Sequence, residues 1–468
     1  MDFSKNIKIY MIGIKGAGMT MLGQFLAANG AEISGSDGPE KYMTDAVLKS
    51  SGIKVIENFS VSNLPADADL IIYSTAYNSE TNVEVAAALA GKIKILTYSQ
   101  ALGEVFNQKY GIAVVGSHGK TTVTAWLGYV LKMAGLEPSV MVGAQVPQFE
   151  GCSIVGSSDY LVIEADEYQN KLENYQPRVV LLNNIDYDHP DFFPTVADYN
   201  NVFIEFIKKI STKGFLVANF NDPAVRKIAQ VNCRGKVITY AINEAADYVA
   251  YDIRAHAGKQ FFKVKFGVED ELGEGEVGLE ELGDFSIQLA GQHNILNALA
   301  VIAASIELNI DLFKIRKYLE EFSGTTRRLQ VLGEFRGATI IDDYAHHPTE
   351  IKATIEAVRQ KYGQRKLIVV FHPHTFSRTK ALFDDFVGSF SGVDELIILD
   401  IYGSAREKQG GVSSRDLVEK IEVNQPAKYI PTLAECEKYL REHARRDDLV
   451  ILMGAGDIFR VGENLVKK

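Results

Sequence analysis

The sequence predicts an α/β protein built from three units in series. Three observations carry this. Apolar strand-like runs alternate with helical stretches, the rhythm of parallel sheets. That rhythm starts afresh at Gly111 and again after Gly324. Two strand–glycine loop–helix junctions, GIKGAGM and GSHGKTT, begin at Gly13 and Gly116. The 468 residues are also too many for one ordinary core.

In the first unit KIYMIGI reads as a buried strand and Gly16 to Asn29 as a helix, followed by the strands AEISGSD and DLIIYSTAY. The second unit opens with GIAVVGS and continues with the buried strands DYLVIEADE and PRVVLLNNI. From Lys236 to Leu289 the pattern changes. YVAYDIRAH, QFFKVKFG and FSIQLAG read as short antiparallel strands with acidic, glycine-containing turns. A helix from Asn294 to Leu308 closes this stretch. GATIIDDYAHHP, RKLIVVFHPH, DELIILDIY and LVILMGAGD then supply the third unit.

Composition narrows the class. Hydrophobic residues make up 46% and charged residues 23%, as in a globular enzyme. The balance of 49 Lys+Arg against 60 Asp+Glu gives a net charge of −11, which argues against a nucleic-acid coat. Cys152, Cys233 and Cys436 lie far apart without metal spacing, as expected of idle thiols in a reducing cytoplasm. The N-terminus has no basic start or cleavage site, and no eighteen-residue apolar run points to a membrane span.

The strict Walker pattern fails, because Val114 stands where its first glycine belongs. A shorter loop remains: Gly116, Ser117, His118, Gly119, Lys120, Thr121 and Thr122. Its physics is the same. Glycines let backbone N–H groups approach phosphates, and the helix start adds a positive dipole end. Lys120 brings a full charge, and the Thr121 hydroxyl can ligate Mg²⁺. Mg²⁺ needs further oxygen ligands. Glu164, Asp166 and Glu167 stand at the end of an apolar strand, where open α/β sheets place ligands. Asp188 and His189 follow another strand, where a second metal or a phosphate would be met; a histidine there also serves as a structural residue. GIKGAGM is GxxGxG rather than the dinucleotide GxGxxG, and Asp37 ends the next strand. The loop suits a diphosphate-bearing ligand or a close helix–sheet turn.

Collinear motifs then give a specific likeness. GIKGAGM, SGSD, GSHGKTT, EADE, NNIDYDH, GQHNILNALA, TTRRLQ, DDYAHHPTEI, FHPHTFSRT, DIYGSARE and MGAGD together resemble the Mur ligase family over nearly the whole chain. The resemblance implies three domains. They are a UDP-sugar-binding Rossmann-like domain (1–108), a central P-loop ATPase with a mixed sheet plus a small antiparallel sheet (109–325), and a C-terminal Rossmann-like amino-acid-binding domain (326–468). It implies an ATP-dependent amide ligase of peptidoglycan precursor synthesis, in the cytoplasm, with Mg²⁺ or alternatively Mn²⁺. The activity implied is joining L-alanine to the carboxylate of UDP-N-acetylmuramate through an acyl phosphate. The alternative is recycling, in which an intact murein tripeptide joins the same sugar nucleotide.

The likeness also assigns residues. Gly13, Gly16, Ala17, Gly18, Met19, Asp37 and Ser74 would hold the UDP-sugar. The loop Gly116–Thr122 would hold the ATP phosphates, with His293, Asn294 and Asn297 on the adenine side. Arg328 and Asp343 would reach ATP from the domain junction. Thr121, Glu164 and His189 would hold metal, and Lys120, Glu164, His189 and Arg328 would carry the chemistry. Tyr344, His346 and Arg378 would meet the amino acid, Arg378 as a guanidinium fork for its carboxylate. His347, His372 and His374 serve equally as structural residues. A monomer or homodimer without nucleic-acid or membrane partners is expected. Two features depart from the family's pattern. Lys15 and Thr20 alter the first loop, and EADEYQN with NNIDYDHPDFF is closer to the recycling branch.

Overall fold

The computed structural model describes residues 6–42, 44–149, 151–268, 278–403 and 410–467. Part of the DIYGSARE motif, residues 404–407, lies outside the described residues.

Three sheets follow one another along the chain. The first holds β1 (Lys8–Ile12), β2 (Glu32–Ser36), β3 (Lys54–Ile56), β4 (Leu70–Tyr73) and β5 (Lys94–Thr97). All its pairings are parallel, in the order β3-β2-β1-β4-β5. The order reverses between β1 and β4, so a crevice opens at their C-terminal ends. GIKGAGM follows β1, Asp37 follows β2 and Ser74 follows β4.

The central sheet has ten strands. They are β6 (Tyr110–Val115), β7 (Ser139–Val146), β8 (Gly151–Ile154), β9 (Tyr160–Glu164), β10 (Val179–Leu182), β11 (Phe215–Asn219), β12 (Lys236–Ile242), β13 (Tyr248–His256), β14 (Lys259–Val268) and β15 (Gly278–Ile287). Their order is β15-β14-β13-β12-β11-β10-β6-β9-β7-β8. The antiparallel strands expected after Lys236 are β13–β15. They prolong this sheet, because β13 pairs in parallel with β12 before the chain turns back into β14 and β15. The third sheet holds β16 (Gln330–Phe335), β17 (Ala338–Asp343), β18 (Leu367–Phe371), β19 (Glu395–Ile398), β20 (Ala427–Tyr429) and β21 (Leu449–Met453), in the order β16-β17-β21-β18-β19-β20.

Burial explains the central strands. In β6, Ile112 and Val114 enter one apolar cluster while Ala113 and Val115 enter the other, so both faces are covered and the strand reads as a continuous apolar run. One of these clusters also contains Ile9, Met11, Leu22 and Leu102 of the first domain, so the first and central domains share a core. The third sheet keeps its own clusters, which include Ile341 and Val369 on one face and Ile340 and Val370 on the other.

Helix starts are of two kinds. Several helices are capped by side chains, such as Thr97, Asp222 and Ser413. Three that open onto crevices, Ala17–Ala28, Lys120–Ala134 and Gln292–Glu307, begin at Gly16, Gly119 and Gly291 without a side-chain cap. Their first N–H groups therefore have no side-chain cap acceptor.

Candidate active site

The glycine-rich loop expected to cradle phosphates joins β6 to the helix Lys120–Ala134. Gly116 (φ +130°) and Gly119 (φ +80°) take backbone conformations that L side chains rarely adopt. A Cβ at Gly119 would lie 2.7 Å from Asn297 Oδ1. Lys120 curls back over the loop, donating to Gly116 O and Ser117 O, and pairs with Glu167 at 2.9 Å. Burial works against its charge, but Glu167 and Asp166 outweigh it and raise its pKa. Ser117 is held by Asp186 and Tyr199.

Of the expected metal set, Thr121 and Glu164 meet directly: the Thr121 hydroxyl donates to Glu164 Oε1 at 2.9 Å. Glu164 Oε2 accepts the Gly143 N–H. His189 instead converges with Asp166 and Glu167, their ligand atoms all within 4.8 Å of one another. A hydroxyl and several carboxylates are hard oxygen donors and fit Mg²⁺, while an imidazole also admits Mn²⁺. Against its burial, Lys171 and Lys120 lower the pKa of Asp166, keeping a charged donor there.

Beside the loop lies a cavity of about 530 Å³, the size of a small-ligand site. The central domain lines it with His118, Gly119, Thr122, His293, Asn294 and Asn297, the third domain with Asp343, Glu350 and Lys361, and the connecting segment with Arg328. Asn297 donates to Asn294, and Asn294 to Ala290 O, which fixes both amides. Burial, helped by Arg328, pushes His293 down to about 4, so its ring is neutral. The Asp343 carboxylate is spent on the Leu329 and Ala345 N–H groups and the Thr354 hydroxyl. It therefore shapes the junction that carries Arg328.

The helix Pro348–Tyr362 forms the cavity's third-domain wall. At its start, Glu350 faces His118 Nδ1 at 3.2 Å, while His118 Nε2 faces Asp186 at 3.0 Å. Burial alone would discharge His118, but Asp186 and Glu350 hold it up at about 9. His347 also approaches Asp186, at 3.4 Å. The ligand atoms of these two imidazoles and the Asp186 carboxylate lie within 4.8 Å of one another. Both His118 nitrogens face carboxylates, as an imidazolium requires, and His347 Nδ1 accepts the Thr349 N–H that starts the helix. Toward the helix's other end Gln360 accepts the Gly291 N–H. Arg328 reaches Glu350 at 3.7 Å and lies over the Tyr344 ring.

Tyr344 and His346 pack edge to face, and His346 approaches His374. Burial pushes His346 down to about 3, leaving it neutral beside Glu350 and Arg378. Arg378 is buried and spends its fork on Asp188.

In the first crevice Gly13 has φ +79°, and a Cβ there would clash with Tyr77 and Ser74. Tyr98 crowds Gly18 in the same way. Gly16 and Ala17 are exposed at the rim, whereas Met19 is buried in the core, away from the place expected for a ligand contact. Asp37 accepts the Lys15 and Gly38 N–H groups. Lys15 turns away from the loop. Its ammonium is buried against Gly38 O, Glu40 O and Glu57, and Thr20 bonds Ile14 O, so both departures in this loop serve its own architecture.

Sequence reasoning passed over Glu350, Asp186 and Tyr199, and it read Asp188 as meeting a second metal or a phosphate, whereas its carboxylate is paired with Arg378. Glu350 stood within DDYAHHPTEI, one turn into a helix opened by Pro348, but its partner His118 is 232 residues away.

Comparison with known proteins gives the same picture from another side. Residues 8–110 match the model described as Mur ligase family, catalytic domain, residues 114–305 the Mur ligase middle domain, and residues 327–456 the Mur ligase glutamate ligase domain. The chain is 40% identical to a UDP-N-acetylmuramate–L-alanine ligase of Desulfitobacterium hafniense, covering 98% of this chain and 99% of that one. It is 38% identical to the ligase of the same name from Agathobacter rectalis, over 100% and 99%. Among solved structures it is similar to the UDP-N-acetylmuramate-alanine ligase of Thermotoga maritima, with TM-score 0.79, 25% identity and 98% of each chain covered. A murein peptide ligase of Psychrobacter arcticus, at 22% identity and TM-score 0.72, shares the fold. With relatives of this identity along its whole length, the chain belongs to the Mur ligase family.

Proposed function

We propose that this chain is an ATP-dependent ligase that joins L-alanine to the carboxylate of UDP-N-acetylmuramate. The observation that carries the reading is the 40% identity to an alanine-adding ligase, sustained across 98% of the chain. The cleft supports it, because phosphate loop, carboxylates and third-domain cations converge there.

A carboxylate and an amine do not condense usefully in water, since oxide is a hopeless leaving group. Phosphorylation solves this. The muramoyl carboxylate attacks the γ-phosphorus of ATP, ADP leaves and an acyl phosphate forms. The neutral amine of L-alanine then attacks the acyl carbon, and inorganic phosphate departs from the tetrahedral intermediate. Lys120 and Arg328 offset charge on the transferring group. The Gly116–Thr122 loop, with Asn294, Asn297 and the cavity wall, orients the nucleotide. Gly13, Gly16, Ala17, Gly18, Asp37 and Ser74 line the crevice proposed for the UDP-sugar. Tyr344 and His346 face the amine side. Thr121, Glu164, Asp166, Glu167 and His189 would hold divalent metal, Mg²⁺ in the first instance, which supplies charge neutralisation of the phosphates when bound. Docking of the third domain keeps water from the acyl phosphate. The proposed divisions at 108/109 and 325/326 are supported by their falling between β5 and β6 and between β15 and β16.

The test is phosphate release with ATP and UDP-N-acetylmuramate, offering L-alanine, glycine, L-serine and the murein tripeptide in parallel. Release dependent on the sugar nucleotide and fastest with L-alanine is expected. Preference for the tripeptide would assign the chain to recycling, and release indifferent to both substrates would overturn the ligase reading.

A further inference from the structure

Arg378 lies on the short helix Phe376–Ala381 in the third domain, where a fork for the amino acid's carboxylate was expected. Its fork is closed on a carboxylate of the protein. Nε donates to Asp188 Oδ1 at 2.8 Å and Nη2 to Asp188 Oδ2 at 3.0 Å. Nη1 is turned to His374, 3.3 Å from both its ring Nδ1 and its carbonyl oxygen. Both partners are sequestered, with side chains 6% and 8% exposed. An ion pair this dry is expensive to form unless its remaining lone pairs are used as well.

They are used. Asp188 Oδ1 also accepts the backbone N–H of His189 at 2.7 Å. His189 has φ +57°, a left-handed conformation uncommon for residues other than glycine. A second layer holds the ring: it packs on Tyr168 with centroids 4.5 Å apart, and the Tyr168 hydroxyl is bonded to Asp191. The oriented ring is what joins Asp166 and Glu167 in one cluster of ligand atoms. A chain of contacts therefore runs from the third domain to the central domain's carboxylates, through Arg378, Asp188 and the backbone of His189.

We propose that Arg378 is a positioning residue: by clamping Asp188 when the third domain docks, it holds His189 in the left-handed conformation that completes a divalent-metal site with Asp166 and Glu167. Docking and completion of the site are then one event. This rests on the reading of His189 as a metal ligand. It differs from direct capture of the amino acid, in which Asp188 would have no part.

The experiment measures Mn²⁺ binding by electron paramagnetic resonance. The full chain is used with UDP-N-acetylmuramate and a non-hydrolysable ATP analogue present, and without amino acid. Arg378→Lys keeps the charge but loses the fork; Asp188→Asn keeps an acceptor for the His189 N–H but loses the charge. Each is expected to weaken the tighter Mn²⁺ component by about tenfold, as loss of outer-shell support does elsewhere. The double variant should be no worse than either single one. Circular dichroism and a thermal transition check that each variant folds, and the reversed pair Arg378→Asp with Asp188→Arg serves if a single variant does not, partial return of binding being expected. Unchanged Mn²⁺ binding in folded Arg378→Lys and Asp188→Asn, with a raised KM for L-alanine in the first alone, would overturn the proposal in favour of direct capture. His189→Ala separates the two layers. If it leaves Mn²⁺ binding unchanged, the ligand reading falls and the proposal with it; if it alone weakens binding, only the positioning role falls.

Discussion

Lys120 shows how one residue carries several demands. Its ammonium satisfies two loop carbonyls and the nearly inaccessible carboxylate of Glu167, whose other oxygen accepts from Tyr199. The same charge is proposed to meet the transferring phosphoryl group. Lys120→Ala therefore has two expected consequences. Turnover falls by about 10³-fold, the scale seen when one preorganised charge-stabilising donor is lost. Stability falls by about 3 kcal/mol, because Glu167 is left buried without its cation. Steady-state phosphate release checks the first and denaturant unfolding the second. Near-normal turnover would remove Lys120 from the chemistry.

At the scale of elements, the site depends on how the phosphate-loop helix is braced. The helix Lys120–Ala134 packs on the helix Gln292–Glu307, which brings Asn294 and Asn297 beneath the loop. On its other flank Trp126 stacks on Phe322, centroids 5.1 Å apart and rings 22° from parallel, both fully buried. Phe322 follows the helix Leu312–Glu321 and fastens the end of the central domain to this helix. Phe322→Ala is expected to cost about 3–5 kcal/mol, the range for emptying a buried aromatic site. The sequence has one tryptophan, so its fluorescence reports on this contact. A red-shifted emission and a lowered unfolding midpoint are expected, and an unchanged midpoint would mean that the packing does not brace the helix.

At the scale of the molecule, the two domain boundaries are unlike. The first and central domains share an apolar cluster. The third domain meets the central one through charge and hydrogen bonds: Glu350 with His118, Thr349 with Asp186, Arg378 with Asp188 and Gln360 with Gly291. Polar interfaces of this kind permit domain motion. They also make closure sensitive to pH. His118 is faced by Asp186, Glu350 and the His347 ring, and Glu350 in turn by His346 and Arg328. The pKa of His118 is raised in the docked state, from 6.5 to about 9. Its contribution is therefore complete below about pH 6.5 and lost as pH rises through about 9. The radius of gyration from small-angle scattering, with nucleotide bound, should increase across that interval, and His118→Gln should flatten the change. An unchanged radius in the wild-type chain would show that this contact does not hold the domains together.

Much was legible in the order of residues. Alternating apolar runs gave the strands of all three sheets' centres, and the glycine-rich strand-to-helix turn before Lys120 stands where the sequence put it. Glu164 ends a strand as expected and His189 lies in the segment after one, because periodicity, turn chemistry and strand termini are local properties of a chain. What joins to what was not local. Glu350 finds His118 across 232 residues, and Arg378 finds Asp188 across 190. The sequence could therefore name Arg378 as a fork for a carboxylate, while only the packing of domains selected which carboxylate it holds here. Spacing along a chain determines secondary structure and the faces it presents; the pairing of distant charges is determined by whichever arrangement buries the apolar faces and leaves no charge alone.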